Sequence, residues 1–269
     1  AVLIIPSLLV GAGMIWVFER VESRDTEYLG SYVTKIRYYE PWNELVRRTR
    51  HYTDSKGRTH TKTYYTTENH PERWSYYDHS GSERRCSNED FLAMKRRLSV
   101  ASVFVDMHRD YYTRDGDAYE YRWNGQPATL YSVTREHGYE NKVQASRSVF
   151  KFEDISEKEA RRLGLHDYPE IQLCDQQPII GAKFSARQER AIRVLNALYG
   201  PKKEFRIYLL FYRNKPPIAD KQRSYWQGGN KNELVVCIGL DSRNRVVWSD
   251  AFSWCDSPVL AVKSRDWFM

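Results

Sequence analysis

Cysteine is scarce in this chain: Cys86, Cys174, Cys237 and Cys255 are the only four in 269 residues, and no Cys-x-x-Cys occurs. So few thiols exclude a domain held by a dense disulfide framework, and the spacing excludes a thiolate zinc cluster. There is room for one or two disulfides if the domain is exported, with no pairing assignable. Cys237 lies in an apolar run and reads as a small buried hydrophobe. Catalytic signatures are missing too. The chain has no Gly-x-Ser-x-Gly, no His-Glu-x-x-His, no phosphate loop ending in Gly-Lys-Ser/Thr and no Gly-x-Gly-x-x-Gly. On these grounds no catalytic residue and no cofactor is assigned. Finally, residues 1–18 carry no charge at all, whereas Glu19, Arg20, Glu22, Arg24 and Asp25 follow at once.

That uncharged run, AVLIIPSLLVGAGMIWVF, would cover about 27 Å as a helix at about 1.5 Å per residue, close to the roughly 30 Å of a bilayer core. It predicts a single-pass transmembrane anchor over 1–18, with Ile4, Leu8, Leu9 and Ile15 among lipid. Trp16 and Phe18 suit the headgroup level. A cleaved signal peptide would end on a small-x-small site, but here Met14 to Phe18 continue the apolar run after Gly13. Residues 19–27 hold four acids and two arginines. A flank so poor in cations fits a soluble domain on the exported, periplasmic or lumenal side.

What is abundant is aromatic: 20 Tyr and 8 Trp, with Thr and Val recurring in short runs. These residues favour strands. The class expected is α+β: the N-terminal transmembrane helix, a β-rich meander and hairpin domain over 19–168, and a small α/β sandwich over 183–269. Asp167 to Lys183, with Pro169 and Pro178, reads as the linker between them. Period-two alternation predicts a strand over Tyr28–Tyr39. Leu45–Tyr52 and Thr59–Thr67 flank the turn Asp54-Ser55-Lys56-Gly57 as a long polar hairpin. Ser87, Ser156 and Ser185 cap helices, the last stopping at Gly200-Pro201. Asn124-Gly125 signals a type I′ hairpin between Ala118–Trp123 and Ala128–Thr134. Val143–Phe152 is a further strand. Phe205–Tyr212 is continuously apolar, hence a strand covered on both faces. Leu234–Leu240 and Val246–Trp254 form a hairpin, and Pro258 begins a helix.

Charge is uneven. The chain carries +7 in all, yet residues 183–269 alone carry +8. Within 44–62, Arg47, Arg48, Arg50, Lys56, Arg58 and Lys62 oppose only Glu44 and Asp54, and Tyr52, Tyr64 and Tyr65 lie among them. This is a candidate partner-binding or lipid-binding arm. The same interleaving also suits single-stranded nucleic acid, although no RNP-type or OB-type pattern accompanies it and nucleic acid is not the partner expected. In the 226–231 loop, Trp226, Gly228, Gly229 and Lys231 offer amides and a charge for an anion. His51 and His60 flank the hairpin turn at similar distances and could face each other, with His70 near. Asp106, His108 and Asp110 alternate onto one strand face and form the candidate metal or proton-transfer triplet.

The phrases YYEPWNE (38–44), FVDMHRDYYTRDGD (104–117) and WQGGNKNELVVCIGLD (226–241) resemble those of an uncharacterised group of single-pass membrane proteins of bacteria and their phages, which implies no activity. Residues 185–254 resemble TPM-type domains in the order helix, strand, Trp/Gly loop, strand, turn, strand, carried by Trp226, Gly228 and the strand 234–240. TPM-type domains are membrane-tethered α/β modules, some linked to phosphatase activity and others to assembly of membrane complexes. The expectation is a membrane-anchored, non-enzymatic accessory or scaffolding subunit, partnered by the bilayer and by other subunits of a membrane complex. The alternatives are a TPM-type hydrolase using the 225–232 loop with Asp241 and Asp250, and a nucleic-acid-binding protein using the hairpin.

Overall fold

The computed structural model describes residues 24–98, 101–105, 117–140, 152–227, 229, 230, 232–253 and 258–267. They fall into two compact units: Tyr32–Tyr131, and the described residues up to Ser31 together with those from Ser132 onward.

In the Tyr32–Tyr131 unit, β1 (Arg24–Tyr39) runs antiparallel between β4 (Arg73–Asp78) and β7 (Ala118–Arg122). β5 (Glu83–Cys86) lies beyond β4, and β6 (Val103–Val105) beyond β7. Helix α1 (Asn88–Leu98) packs against β4 and β7 and buries Phe91, Met94 and Leu98. Its start is fixed as the sequence predicts: Ser87 Oγ accepts from Asp90 N at 3.0 Å. β2 (Trp42–Thr53) and β3 (Thr59–His70) pair only with each other and make a separate two-stranded sheet.

In the other unit, which holds β1 as far as Ser31, β8 (Ser132–Glu140) pairs with β1, and α2 (Glu157–Leu163) closes on Gly164 in the left-handed region. Then come β9 (Ile179–Ile180), α3 (Ala186–Lys203), β10 (Arg206–Arg213), α4 (Ala219–Tyr225), β11 (Glu233–Leu240), β12 (Val246–Ser253) and α5 (Pro258–Trp267). The sheet order is β12–β11–β10–β9, antiparallel at β12 and parallel elsewhere. Parallel neighbours need crossovers, and α3 and α4 supply them. Apolar side chains cover both faces. Tyr208, Leu210, Tyr212, Val235 and Cys237 pack with Trp226 and Trp248 on one, while Leu209, Phe211, Val236 and Ile238 pack on the other. Each large side chain so buried contributes about 1.5–3 kcal/mol. Gly239 is required where it stands: a Cβ there would lie 2.0 Å from Trp248 Nε1, and that nitrogen donates to Lys215 O at 2.8 Å. Buried Gln222 ties α4 to the preceding chain. It accepts from His166 N (2.9 Å) and Tyr212 Oη (2.7 Å) and donates to His166 O (2.9 Å).

The expected class needs correction. Strand outweighs helix, 44% to 25%, and is spread over several sheets, so the fold is mostly β rather than α+β. The reason lies in strands the sequence understates: β1, β2 and β3 are each at least twelve residues long, and β4 and β5 were not foreseen. No helix among the described residues is long and apolar enough to cross a membrane. The expected anchor over 1–18 lies outside the described residues, as do most of the expected strand over 143–152 and Cys255. Cys86 and Cys237 are free thiols.

Two local expectations also differ. Asn124-Gly125 does not make a hairpin. Asn124 Oδ1 accepts from Gln126 N (2.9 Å) and Thr129 Oγ1 (2.8 Å), which steers the chain into a 3-10 turn over Pro127–Thr129, and β8 then pairs with β1. Likewise α3 does not stop at Gly200-Pro201 but runs to Lys203, with Glu204 as a left-handed cap. A proline in the last turn forfeits a single hydrogen bond there.

Candidate functional site

The β2–β3 ribbon gathers most of the described candidate residues. Twelve register pairs run from Trp42↔His70 to Thr53↔Thr59. At the tip, Asp54 Oδ1 accepts from Lys56 N and Arg58 N, both at 2.9 Å, and Gly57 takes φ +77°. The hydrogen bond from His60 (2.8 Å), aided by the Arg58 amide, holds the Asp54 carboxyl below its usual value. Residues 47–53 and 59–65 are exposed on both faces of the ribbon. An isolated two-stranded sheet is marginal in water, so register here depends on the turn and on cross-strand pairs rather than on a core.

Directly opposed residues share a face. One face carries Arg48/Tyr64, Arg50/Lys62 and Tyr52/His60 toward the tip, with Glu44/Glu68 and Trp42/His70 at the base. The other carries Arg47/Tyr65 and a run of threonines, Thr49/Thr63 and Thr53/Thr59 among them. His51 opposes Thr61 and His60 opposes Tyr52, so the two histidines lie on opposite faces and do not meet. The base is internally satisfied. Glu44 binds His70 at 3.0 Å, Arg48 pairs with Glu68, and His70 stacks on Trp42 with centroids 4.6 Å apart. Glu44, Glu68 and His70 are also the one described trio whose ligand atoms lie within 4.8 Å of one another. To hold a metal, both carboxylates would have to give up these partners. The middle of the ribbon is different. Arg50 and Lys62 face each other, and neither they nor Arg47 and Lys56 make an ion pair among the described residues. Like charges directly across a ladder destabilise it.

The described residues of the 226–231 loop, Trp226, Gln227, Gly229 and Asn230, are engaged with the chain itself. Trp226 is buried, and its Nε1 donates to His166 O at 2.7 Å. Gly229 takes φ +77°, and a Cβ there would lie 2.8 Å from Glu233 Oε2. The amide of Asn230 donates to that same oxygen at 2.9 Å, so the chain's own carboxylate occupies it. Gly228 and Lys231 lie outside the described residues. Asp241 caps the β11–β12 turn, accepting from the amides of Arg243 (2.8 Å) and Arg245 (2.9 Å). It follows the far end of β11 from the loop, roughly 23 Å away at about 3.3 Å per residue. Asp250 pairs with Cys237 in mid-strand. The three do not share one site. Asp106, His108 and Asp110 lie outside the described residues.

A charged cluster on the β1–β4–β7 face was not foreseen. Glu120, 1% exposed, accepts from Arg37 Nη2 (2.6 Å), Arg122 Nε (2.6 Å) and Lys35 Nζ (3.1 Å). Burial pushes its pKa up, but the three cations outweigh burial and hold it down at about 2. Beside it, Tyr39 Oη (2.8 Å) and Ser75 Oγ (2.7 Å) donate to Glu83, and Arg73 lies 3.8 Å over the Tyr39 ring. A carboxylate so clamped takes no proton near neutral pH, which makes it an electrostatic clamp rather than a general base. The alternation of Lys35 and Arg37 with Thr34 and Ile36 is the signal that puts both cations on one face; their acid, 83 residues from Arg37 in sequence, has none.

No protein-family model, no curated protein and no solved structure matches the chain.

Proposed function

We propose that the chain is a non-enzymatic accessory or scaffolding subunit of a membrane complex, and that its β2–β3 ribbon docks on an acidic face of a partner protein. The observation that carries this reading is the unpaired Arg50/Lys62 couple, placed mid-ribbon between a base and a tip that are both satisfied. The ribbon gains nothing internally from this opposition, whereas carboxylates from outside would relieve it. Tyr64 and Tyr52 flank the couple on the same face, and Tyr and Arg dominate interface energetics. The uncharged run over 1–18 is the sequence's support for the membrane location.

The test is extraction of the native complex in mild detergent, size separation and mass spectrometry, for the wild type and for Arg50→Glu with Lys62→Glu. The expected result is a stoichiometric assembly that the charge reversal weakens by more than tenfold. Migration alone near the 31.9 kDa chain mass plus micelle overturns the reading. So does salt-sensitive binding of the wild type to anionic vesicles or to DNA with no protein partner.

A further inference from the structure

A small cavity in the unit that contains β10 is lined by donors that have no acceptor. Its volume is about 20 Å³, and Arg193, Arg206, Tyr208, Ser132, Thr134 and Asn196 contribute to its wall. Three of these residues hold a buried polar atom without a hydrogen-bond partner: Arg206 Nη1, Tyr208 Oη and Arg193 Nε. Arg206 is 3% exposed and Tyr208 is fully buried. The other walls are already engaged. Ser132 Oγ donates to Asp175 at 3.0 Å, Thr134 Oγ1 accepts from Arg206 Nη2 at 2.7 Å, and the Asn196 amide bonds both Ile207 N and Ile207 O.

Arg193 reaches Asp175 (3.3 Å) and Glu189 (3.8 Å). Arg206 makes no ion pair among the described residues. Its neighbour in the β10–β11 register, Glu233, is fully buried on the same side of the sheet, but its carboxylate accepts from Tyr168 Oη, from Asn230 N and from Asn230 Nδ2 and makes no ion pair with Arg206. Glu233 supplies charge nearby but no acceptor to Arg206 Nη1, and a buried donor left without an acceptor is costly. Burial pushes the Tyr208 hydroxyl up to about 12, with Arg206 acting against it and Glu233 in the same direction, so it keeps its proton at neutral pH.

We infer that this cavity binds a monatomic anion of the halide class, held by Arg206, Tyr208 and Arg193. Size selects the class: about 20 Å³ accommodates one water-sized centre, too little for a tetrahedral oxyanion. A halide needs only donors, whereas a water molecule in the same place would have to find acceptors for its own protons. The occupant closes the corner where the start of β10, α3 and the start of β8 come together.

The test uses the full chain. Sodium gluconate is replaced stepwise by sodium bromide at constant ionic strength while the thermal midpoint is followed, and crystals grown in bromide are examined for anomalous scattering in the cavity. A saturable rise of the midpoint and an anomalous peak beside Arg206 are expected. Tyr208→Phe keeps the ring and removes one donor, and it should weaken bromide about tenfold, the equivalent of one neutral hydrogen bond. Arg206→Met should abolish the dependence; should that variant fail to fold, Tyr208→Phe and the anomalous map still decide. A midpoint indifferent to bromide, a water in the cavity of bromide-grown crystals, or stabilisation by sulfate in place of bromide overturns the assignment.

Discussion

β11 and the β2–β3 ribbon are built from the same strand-forming vocabulary and stand in opposite relations to water. All eight residues of β11 are buried. In the ribbon, residues 47–53 and 59–65 are exposed on both faces. A strand inside a doubly covered sheet is held in register by what it buries, because a one-residue slip would move every side chain to the wrong face. The ribbon has no such constraint. Its register rests on the Asp54 turn, on the Glu44–His70 and Arg48–Glu68 contacts at its base, and on hydrogen bonds between strands. The core can therefore tolerate little change in shape, while the ribbon can vary its side chains freely. A region free of packing demands that still sets Arg50 against Lys62 has been shaped by something other than its own stability.

The comparison breaks most visibly in the core. Leu210 is fully buried on β10. Leu210→Ala should destabilise the fold by about 2–5 kcal/mol through lost burial and the cavity left behind. Chemical denaturation measures this directly. A loss below about 1 kcal/mol would mean that the sheet is less tightly packed than its burial implies.

Glu120 lies between the extremes, buried yet charged. Glu120→Gln removes the counter-charge of Lys35, Arg37 and Arg122. Breaking a buried pair costs about 3–5 kcal/mol, and because these cations reach solvent, about 2–3 kcal/mol is expected. The pH dependence has a definite sign. The native carboxyl titrates at about 2, below its unfolded value of about 4.3. Its stabilisation is therefore complete above roughly pH 4.5 and disappears as the pH falls toward 2. Denaturation of the wild type and the variant should diverge at pH 7 and converge near pH 2. Parallel curves across that range would refute the clamp.

Much of this was legible in the sequence, and what was not has physical reasons. Alternation and serine caps sufficed for β1, the ribbon, α1, α2 and β10 to β12, because those signals are local. β5 was hidden because Glu83-Arg84-Arg85-Cys86 is short and charged. α4 was hidden because its N-cap, Ile218, makes no side-chain cap. The ribbon cations could be read because they are contiguous. Glu120 and the Arg206 cavity could not, since each is assembled from segments tens of residues apart, and an unpartnered buried donor is defined only once the chain has closed around it. The mostly β balance was missed because the ribbon strands run further than the expected 45–52 and 59–67, and because β4 and β5 carried no readable signal.

The smallest predicted effect is the most diagnostic of the comparison. Lys62→Thr leaves Arg50 opposite a hydroxyl in place of a second cation and extends the threonine content that the ribbon already carries. Relief of the like-charge opposition should stabilise the ribbon by about 0.2–1 kcal/mol. Amide exchange along residues 47–53 and 59–65 reports it without interference from the core. If protection rises while affinity for the docking partner falls, the ribbon has been trading its own stability for recognition. If protection falls, Lys62 supports the ladder through its aliphatic stem, and the opposition to Arg50 no longer argues for an acidic partner.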